Sequence, residues 1–589
     1  MHRINMGQRP NHKLDGQWSL LPDPMHRGTA QKWWSSTRKE GEFFPSYDDD
    51  AFWPTQVPSA FNRLHQELAY YEGQVIYLHH FQAQTAENNQ RIMLHFEGVA
   101  DRCKVFLNGI WVGENDGGFV PFSLDISHAI ESKNRLLVYV DNTRSEQTVP
   151  TTMHDWWHDG GIHRPVHLYY LPKTYLRDAA VETRIVDKQI EITLRSIIAS
   201  PQCNKQHNIK WKLVSRQTGQ TLTKQSLNAT TGRWAQQIVL LDRDTVELWD
   251  TKQPNLYDLI IEVDQDTWTD TIGLREIATQ NGDILLNGMP AILKGICTWH
   301  TDPICGNFSF SEQTSEKIVA LLKDLNCNFA RAGHQPQTAA FVRACDEVGI
   351  LLWMEVPAYW HPNVHKPAPT HTAIHMFNAM ISQFRNSPSV IIWCIGNECL
   401  YNNAQEAQSN IGYFLEAADF LHEHDPSRLV TYTGGFEGSA NHDLEIICPE
   451  AVVEKLDILS LNSYAGSTDG VHSDKPDTFD EHLEKLIAAQ AYHRPVILAE
   501  VGIDAVRDLT TLDYGEQRQE AYYEKLASLF ADTVQKGFLQ GMAPFCLADF
   551  HTPIKLGRHQ QAYNRKGIVD QNLVPKNAYQ ILKTCYAYE

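Results

Sequence analysis

From residue 291 onward the chain carries eight short apolar runs with amphipathic, helix-length segments among them. The runs are AILKGI (291–296), CNFARAGH (327–334), ILLWMEV (350–356), VIIWCIGN (390–397), LVTYTGG (429–435), DILSLNSY (457–464), PVILAEVG (495–502) and GMAPFCLADF (541–550). Helical patterns lie at 311–325, 338–349 and 519–537. A strand that is apolar along its whole length is buried on both faces, which is how parallel strands covered by helices read. Eight of them predict a closed (β/α)₈ barrel of about 300 residues. No Gly-rich fingerprint follows the first run, so an open doubly wound sheet lacks support.

The first half of the chain has a different texture. Runs at 75–83, 91–99, 103–114 and 134–142 are rich in Val, Ile, Leu, Phe and Tyr, and Asn108-Gly109 and Asp116-Gly117-Gly118 break them as turns. With PVHLYYLP (165–172) as the last strand, they predict a β-sandwich. A second strand-rich stretch follows at 179–186, 189–198, 209–215, 236–241 and 257–264, the size of an immunoglobulin-like sandwich that ends near Arg275. Three units result: 1–176, 177–276 and 277–589.

Composition narrows the function. Acidic residues outnumber basic ones 71 to 51, a net charge of −20, which argues against a dedicated nucleic-acid binder. No run of about 18 apolar residues occurs, so no membrane partner is expected, and the first residues lack a secretory signal. The eleven scattered cysteines contain no CxxC pair and fit a reducing, cytoplasmic setting.

In a barrel of this kind chemistry sits at the C-terminal ends of the strands. There the sequence offers Trp299, His300 and Asp302, then Arg331 and His334, then Glu355, then Asn397-Glu398, then Asn462 and Tyr464, then Glu500, and last Asp549. Glu398 and Glu500 end runs four and seven, on opposite sides of the mouth. Two opposed carboxylates are what glycosidic bond cleavage requires: one protonates the leaving oxygen, the other attacks or stabilises the oxocarbenium-like centre. Glu355 and Asp549 read instead as carboxylates that hold arginines such as Arg331 in place.

The same residues carry a family resemblance. GGFVPFSLDI (117–126), DWWHDGGIHRPVHLYYLP (155–172), LLNGMPAILKGI (285–296), NSPSVIIWCIGNE (386–398) and RPVILAEVGID (494–504) resemble glycoside hydrolase family 2, and within it the β-glucuronidases. The resemblance implies a jelly-roll sugar-binding domain, an immunoglobulin-like domain and a catalytic (β/α)₈ barrel, in that order. It implies Glu500 as nucleophile and Glu398 as acid/base of a retaining exo-glycosidase, without cofactor or metal. Asn397 is then expected to bond the sugar 2-hydroxyl, Tyr464 to position the nucleophile, and His334 to line the sugar subsite. Asp155 is expected to reach from the first domain toward the sugar hydroxyls. After run eight, YNRKGIVDQNLVPKNAYQIL (563–582) resembles the segment that grips a uronate carboxylate, through Asn564 and Lys566. The sequence departs from the pattern at Val501, where many relatives carry an aromatic, and at Phe545, where a tryptophan is expected. A carbohydrate partner and a homo-oligomer are expected. The alternatives are a β-galacturonidase, then a β-galactosidase, and in a different class a non-catalytic carbohydrate-binding protein.

The segment HPNVHKPAPTHTAIH (361–375) contains His361, His365, His371 and His375. It is expected to be a solvated Pro-rich loop beside the pocket, with Trp299 or Trp360 offering a stacking face to the sugar.

Overall fold

The computed structural model describes residues 4–587, apart from 36–48, 87–89, 304–305, 308, 400–403, 436–448, 465–488, 490–492 and 511–513. Its first unit is a sandwich of two antiparallel sheets. One runs in the order Trp53–Val57, Gly16–Pro22, Gln74–Gln82, Lys133–Asp141, Arg102–Leu107, Ile110–Asp116. The other runs His12–Lys13, Val166–Pro172, Gln90–Phe96, Phe122–Asp125. Trp18, Tyr77, Val105, Phe96, Phe122 and Leu168 fill the space between them. Asn108 (φ 51°) and Gly109 (φ 84°) make a tight hairpin turn whose two positive φ values match the strand twist.

A second sandwich follows. Tyr175–Val186, Gln189–Ala199 and Trp234–Asp242 form one sheet; Thr221–Thr230, Gln206–Ser215, Tyr257–Val263 and Asp266–Ile272 form the other. Trp211 and Trp268 are buried at its centre.

The third unit is a closed barrel of eight parallel strands: β1 (Leu293–Trp299), β2 (Phe329–Gly333), β3 (Leu351–Glu355), β4 (Val390–Asn397), β5 (Leu429–Gly435), β6 (Leu459–Asn462), β7 (Val496–Glu500) and β8 (Gly541–Met542). Leu293 pairs with Gly541 to close it. Each run of the sequence supplies one strand. The last is shorter than its ten-residue run because Pro544 has no N–H to give to the ladder, although Ala543 and Phe545 still donate to Leu498 O and Val501 O beside it. Helix boundaries follow capping chemistry. The Ser311 hydroxyl accepts the Thr314 N–H to start α1 (Glu312–Asp324). Thr338 does the same for α2 (Ala339–Val348), which Gly349 ends at φ 78°.

The barrel mouth faces the first unit, and polar contacts tie the two together. Arg164 donates to Phe119 O in its own unit and to Pro336 O beyond β2. His361 is fully buried against Thr148 O at 2.9 Å, and His375 Nε2 lies 3.1 Å from Asn115 Oδ1. The 361–375 segment is therefore not a solvated loop. From Pro367 it is α3 (Pro367–Phe384), started by a proline that the first helical turn tolerates, and it packs on the sandwich.

Candidate active site

The mouth is organised around one buried cation. Arg331, on β2, is 0% exposed and lies over the Trp353 ring at 4.9 Å. Its Nη1 donates to Glu500 Oε1 at 2.6 Å; its Nη2 donates to Asn397 Oδ1 at 2.7 Å and reaches Glu355 Oε2 at 3.4 Å. Glu355 also faces His334, whose Nδ1 lies 2.7 Å from Glu355 Oε1 and whose Nε2 lies 3.5 Å from Glu500 Oε1. Burial opposes the charge on Glu355, but Arg331 and His334 outweigh it and hold the carboxyl at about 2. Removing the guanidinium strands two buried carboxylates. Arg331→Met is expected to destabilise the fold by about 3–5 kcal/mol, read as a lower denaturant midpoint; an unchanged midpoint would contradict the pairing.

Glu500 ends β7 and is oriented from both sides. Arg331 takes Oε1, and the Tyr464 hydroxyl donates to Oε2 at 2.6 Å. Burial and the Glu500 charge push the Tyr464 phenol far above its ordinary range, so it remains a donor.

Glu398 follows β4 in left-handed backbone, φ 54°, a conformation that costs a non-glycine residue about 1–2 kcal/mol. Its carboxylate accepts from Asn462 Nδ2 at 2.7 Å and from Trp360 Nε1 at 2.6 Å. Asn462 stands beside Glu500 in the strand register and its Oδ1 lies 3.4 Å from Arg331 Nη1, so one hydrogen-bonded network joins both glutamates. Asn397 Oδ1 accepts from Arg331 and, at 3.1 Å, from Asn462 Nδ2. That fixes its amide orientation and leaves the buried Nδ2 without a protein partner among the described residues.

The last segment and the first unit meet above this network. Asp155 accepts from Thr552 Oγ1 at 2.6 Å and from Asn564 Nδ2 at 3.1 Å. Burial raises its pKa, against the pull of Lys555 and the other donors around it. Asn564 Oδ1 accepts the Lys566 backbone N–H, a turn that sets the lysine. Lys566 is 4% exposed, and its ammonium lies 4.8 Å from the centre of the Tyr464 ring. Asp549 binds Lys576 at 2.7 Å and Arg565 at 3.2 Å.

All eight residues singled out from sequence thus line one linked region. One stacking expectation needs correction. Trp299 is 5% exposed and stacked on Phe550 at 3.9 Å, so that ring face is occupied. Trp360 contributes its indole N–H to Glu398. The parts that sequence reasoning did not assign to the site are Arg331 as the hub, Asn462 as the bridge and Thr552 as a second anchor of Asp155. Arg331 and Asn462 did stand at strand ends, where such roles are found.

Comparison with known proteins agrees with this architecture. The model for the glycosyl hydrolases family 2 sugar binding domain matches residues 11–172, the glycosyl hydrolases family 2 model matches 174–275, and the family 2 TIM barrel domain matches 277–588. A putative beta-glucuronidase of Formosa agariphila is 27% identical over 85% of this chain, which spans 62% of that relative's length. A beta-galactosidase of Thermoanaerobacterium thermosulfurigenes is 28% identical over 58% of this chain and 48% of its own. Among solved structures, a beta-glucuronidase from an uncultured Clostridium superposes with a TM-score of 0.83 at 24% identity, covering 100% of both chains. With the barrel model alone spanning more than half of the sequence, and two companion models filling the rest in order, the chain belongs to glycosyl hydrolase family 2 and is a glycoside hydrolase.

Proposed function

We propose that this hydrolase is a retaining exo-β-glucuronidase that removes terminal β-linked glucuronic acid by double displacement. Glu500 attacks the anomeric carbon. Glu398 first protonates the leaving oxygen, and then, as its carboxylate, activates water against the glycosyl-enzyme. Asn397 supports this with an amide donor that has no protein partner among the described residues and can serve the 2-hydroxyl, a contact that strengthens as the ring flattens. Tyr464 and Arg331 orient the nucleophile, His334 lines the subsite, and Asp155 reads ring hydroxyls beside Asn564.

One observation carries the uronate reading. Lys566, a buried ammonium, is one aromatic ring away from Glu500, since Tyr464 touches both. Further cations lie close by. Lys555 pairs with Asp504, Lys576 and Arg565 share Asp549, and Asp155 accepts from Thr552 and Asn564 within the field of Lys555 and Lys566. A buried ammonium beside the mouth offers a charge-assisted hydrogen bond to a sugar carboxylate. The beta-galactosidase relative favours the neutral sugar as the second reading.

A panel of aryl β-glycosides differing only at C4 and C6 tests both. Glucuronide is expected to lead galacturonide, and both to exceed galactoside by at least about 100-fold. Proton NMR is expected to show the β-anomer of the free sugar first, because two displacements restore configuration. A preference for galactoside, or an α-product at early times, would overturn the reading.

A further inference from the structure

Two segments that are far apart in sequence run side by side above β7. The first leaves β7 just after Glu500, at Ile503–Asp504–Ala505; the second is Arg565–Lys566–Gly567. Four ties join them. Ala505 N donates to Arg565 O at 3.0 Å, and Arg565 N donates to Asp504 Oδ1 at 3.0 Å. Lys576 Nζ donates to Ala505 O at 2.7 Å and to Arg565 O at 3.1 Å. Gln519 Nε2 donates to Ile503 O and to Gly567 O, both at 3.1 Å. Every one of these groups is buried.

Asp504 is the tie with two ends. It is 4% exposed; Oδ1 takes the Arg565 amide, and Oδ2 takes the Lys555 ammonium at 3.1 Å. A buried carboxylate spent on a backbone N–H fixes that backbone through a charge-assisted hydrogen bond. The residues on either side of this amide are Asn564 and Lys566. The residue four places before Asp504 is Glu500.

We infer that Asp504 is a positioning residue that sets the spacing between the nucleophile Glu500 and the carboxylate-reading Lys566, so that a sugar gripped at C6 presents C1 to Glu500. This rests on the uronidase reading above. A ruler differs from a binding contact in its kinetic signature. If the spacing slips, Lys566 still holds the carboxylate, but the anomeric carbon is off line. Misplacement by about 1 Å costs on the order of 100-fold in the chemical step. A neutral glycoside has no carboxylate to be registered and escapes the penalty.

The test compares Asp504→Ala, Asp504→Asn and Lys566→Ala on an aryl β-glucuronide and the matching β-glucoside. Asp504→Ala is expected to lower kcat on the uronide about 30- to 100-fold with KM changed less than about threefold, and to lower the glucoside rate by far less. Asp504→Asn keeps an oxygen for the Arg565 amide and should restore most of the lost kcat. Thermal melts of each variant separate a folding failure from a kinetic one, and Asp504→Asn carries the test if the alanine variant does not fold. Equal losses on both substrates, a rise in KM at constant kcat, or an asparagine variant no better than alanine would overturn the ruler. If Lys566→Ala itself fails to discriminate uronide from glucoside, the uronidase reading falls instead, and the two failures are told apart.

Discussion

Glu500→Gln is expected to lower turnover by about 10⁴-fold or more, because the amide retains the shape of the side chain and lacks the attacking oxygen anion. The surroundings sharpen the effect. Arg331 and Tyr464 both donate, one to each oxygen of Glu500. A glutamine must turn its NH₂ toward one of them, so the variant loses a hydrogen bond as well as the nucleophile. Glu398→Gln should behave differently: large losses with poor leaving groups, small ones with nitrophenolate-type groups that need no proton. Stopped-flow bursts with activated substrates separate the two steps. Glu500→Gln that keeps more than about a hundredth of the parent rate would exclude Glu500 as nucleophile.

Lys566→Ala is expected to cost about 2–5 kcal/mol of transition-state binding on a uronide, roughly 30- to 5000-fold in kcat/KM. The lysine is 4% exposed, so its loss leaves the sugar carboxylate in a dry corner without a counter-charge. Neutral glycosides should lose little and gain relative to uronides. Asn564→Ala should follow the same pattern more weakly, since a neutral amide gives up less than an ammonium. Its loss also removes the acceptor that sets the Lys566 turn and a donor to Asp155. Equal losses on uronide and neutral substrate would make Lys566 structural and sink the uronate assignment.

Much of the barrel was readable because burial on both faces leaves no room for polar residues. VIIWCIGN became β4 residue for residue, and all eight residues are buried. The sandwiches were less legible at their margins. Thr221–Thr230 reads TLTKQSLNAT and Asp266–Ile272 reads DTWTDTI, with no apolar run in either. Both lie at a sheet edge, where Thr221–Thr230 turns polar residues to solvent, whereas Asp266 and Asp270 of the other strand are buried against Arg9 and Arg343. In the site, strand-end carboxylates announced themselves, but their connections did not. Nothing local says that Arg331 serves Glu500 and Asn397 together, since these partners lie 169 and 66 residues away. Trp360 looked like a platform because an aromatic after a barrel strand often is one. Only its position relative to Glu398 shows that the edge of the ring also serves, as a hydrogen-bond donor.

The bond from Asn564 to Asp155 spans 409 residues and crosses from the first unit to the last. Few contacts among the described residues close so long a loop, and such contacts form late during folding, after local structure is complete. The barrel can therefore regain its helices and its apolar interior while its mouth still lacks Asp155 and the Arg164 strap. In a refolding experiment, recovered catalysis is a clock for the docking of two domains and not for the folding of either one.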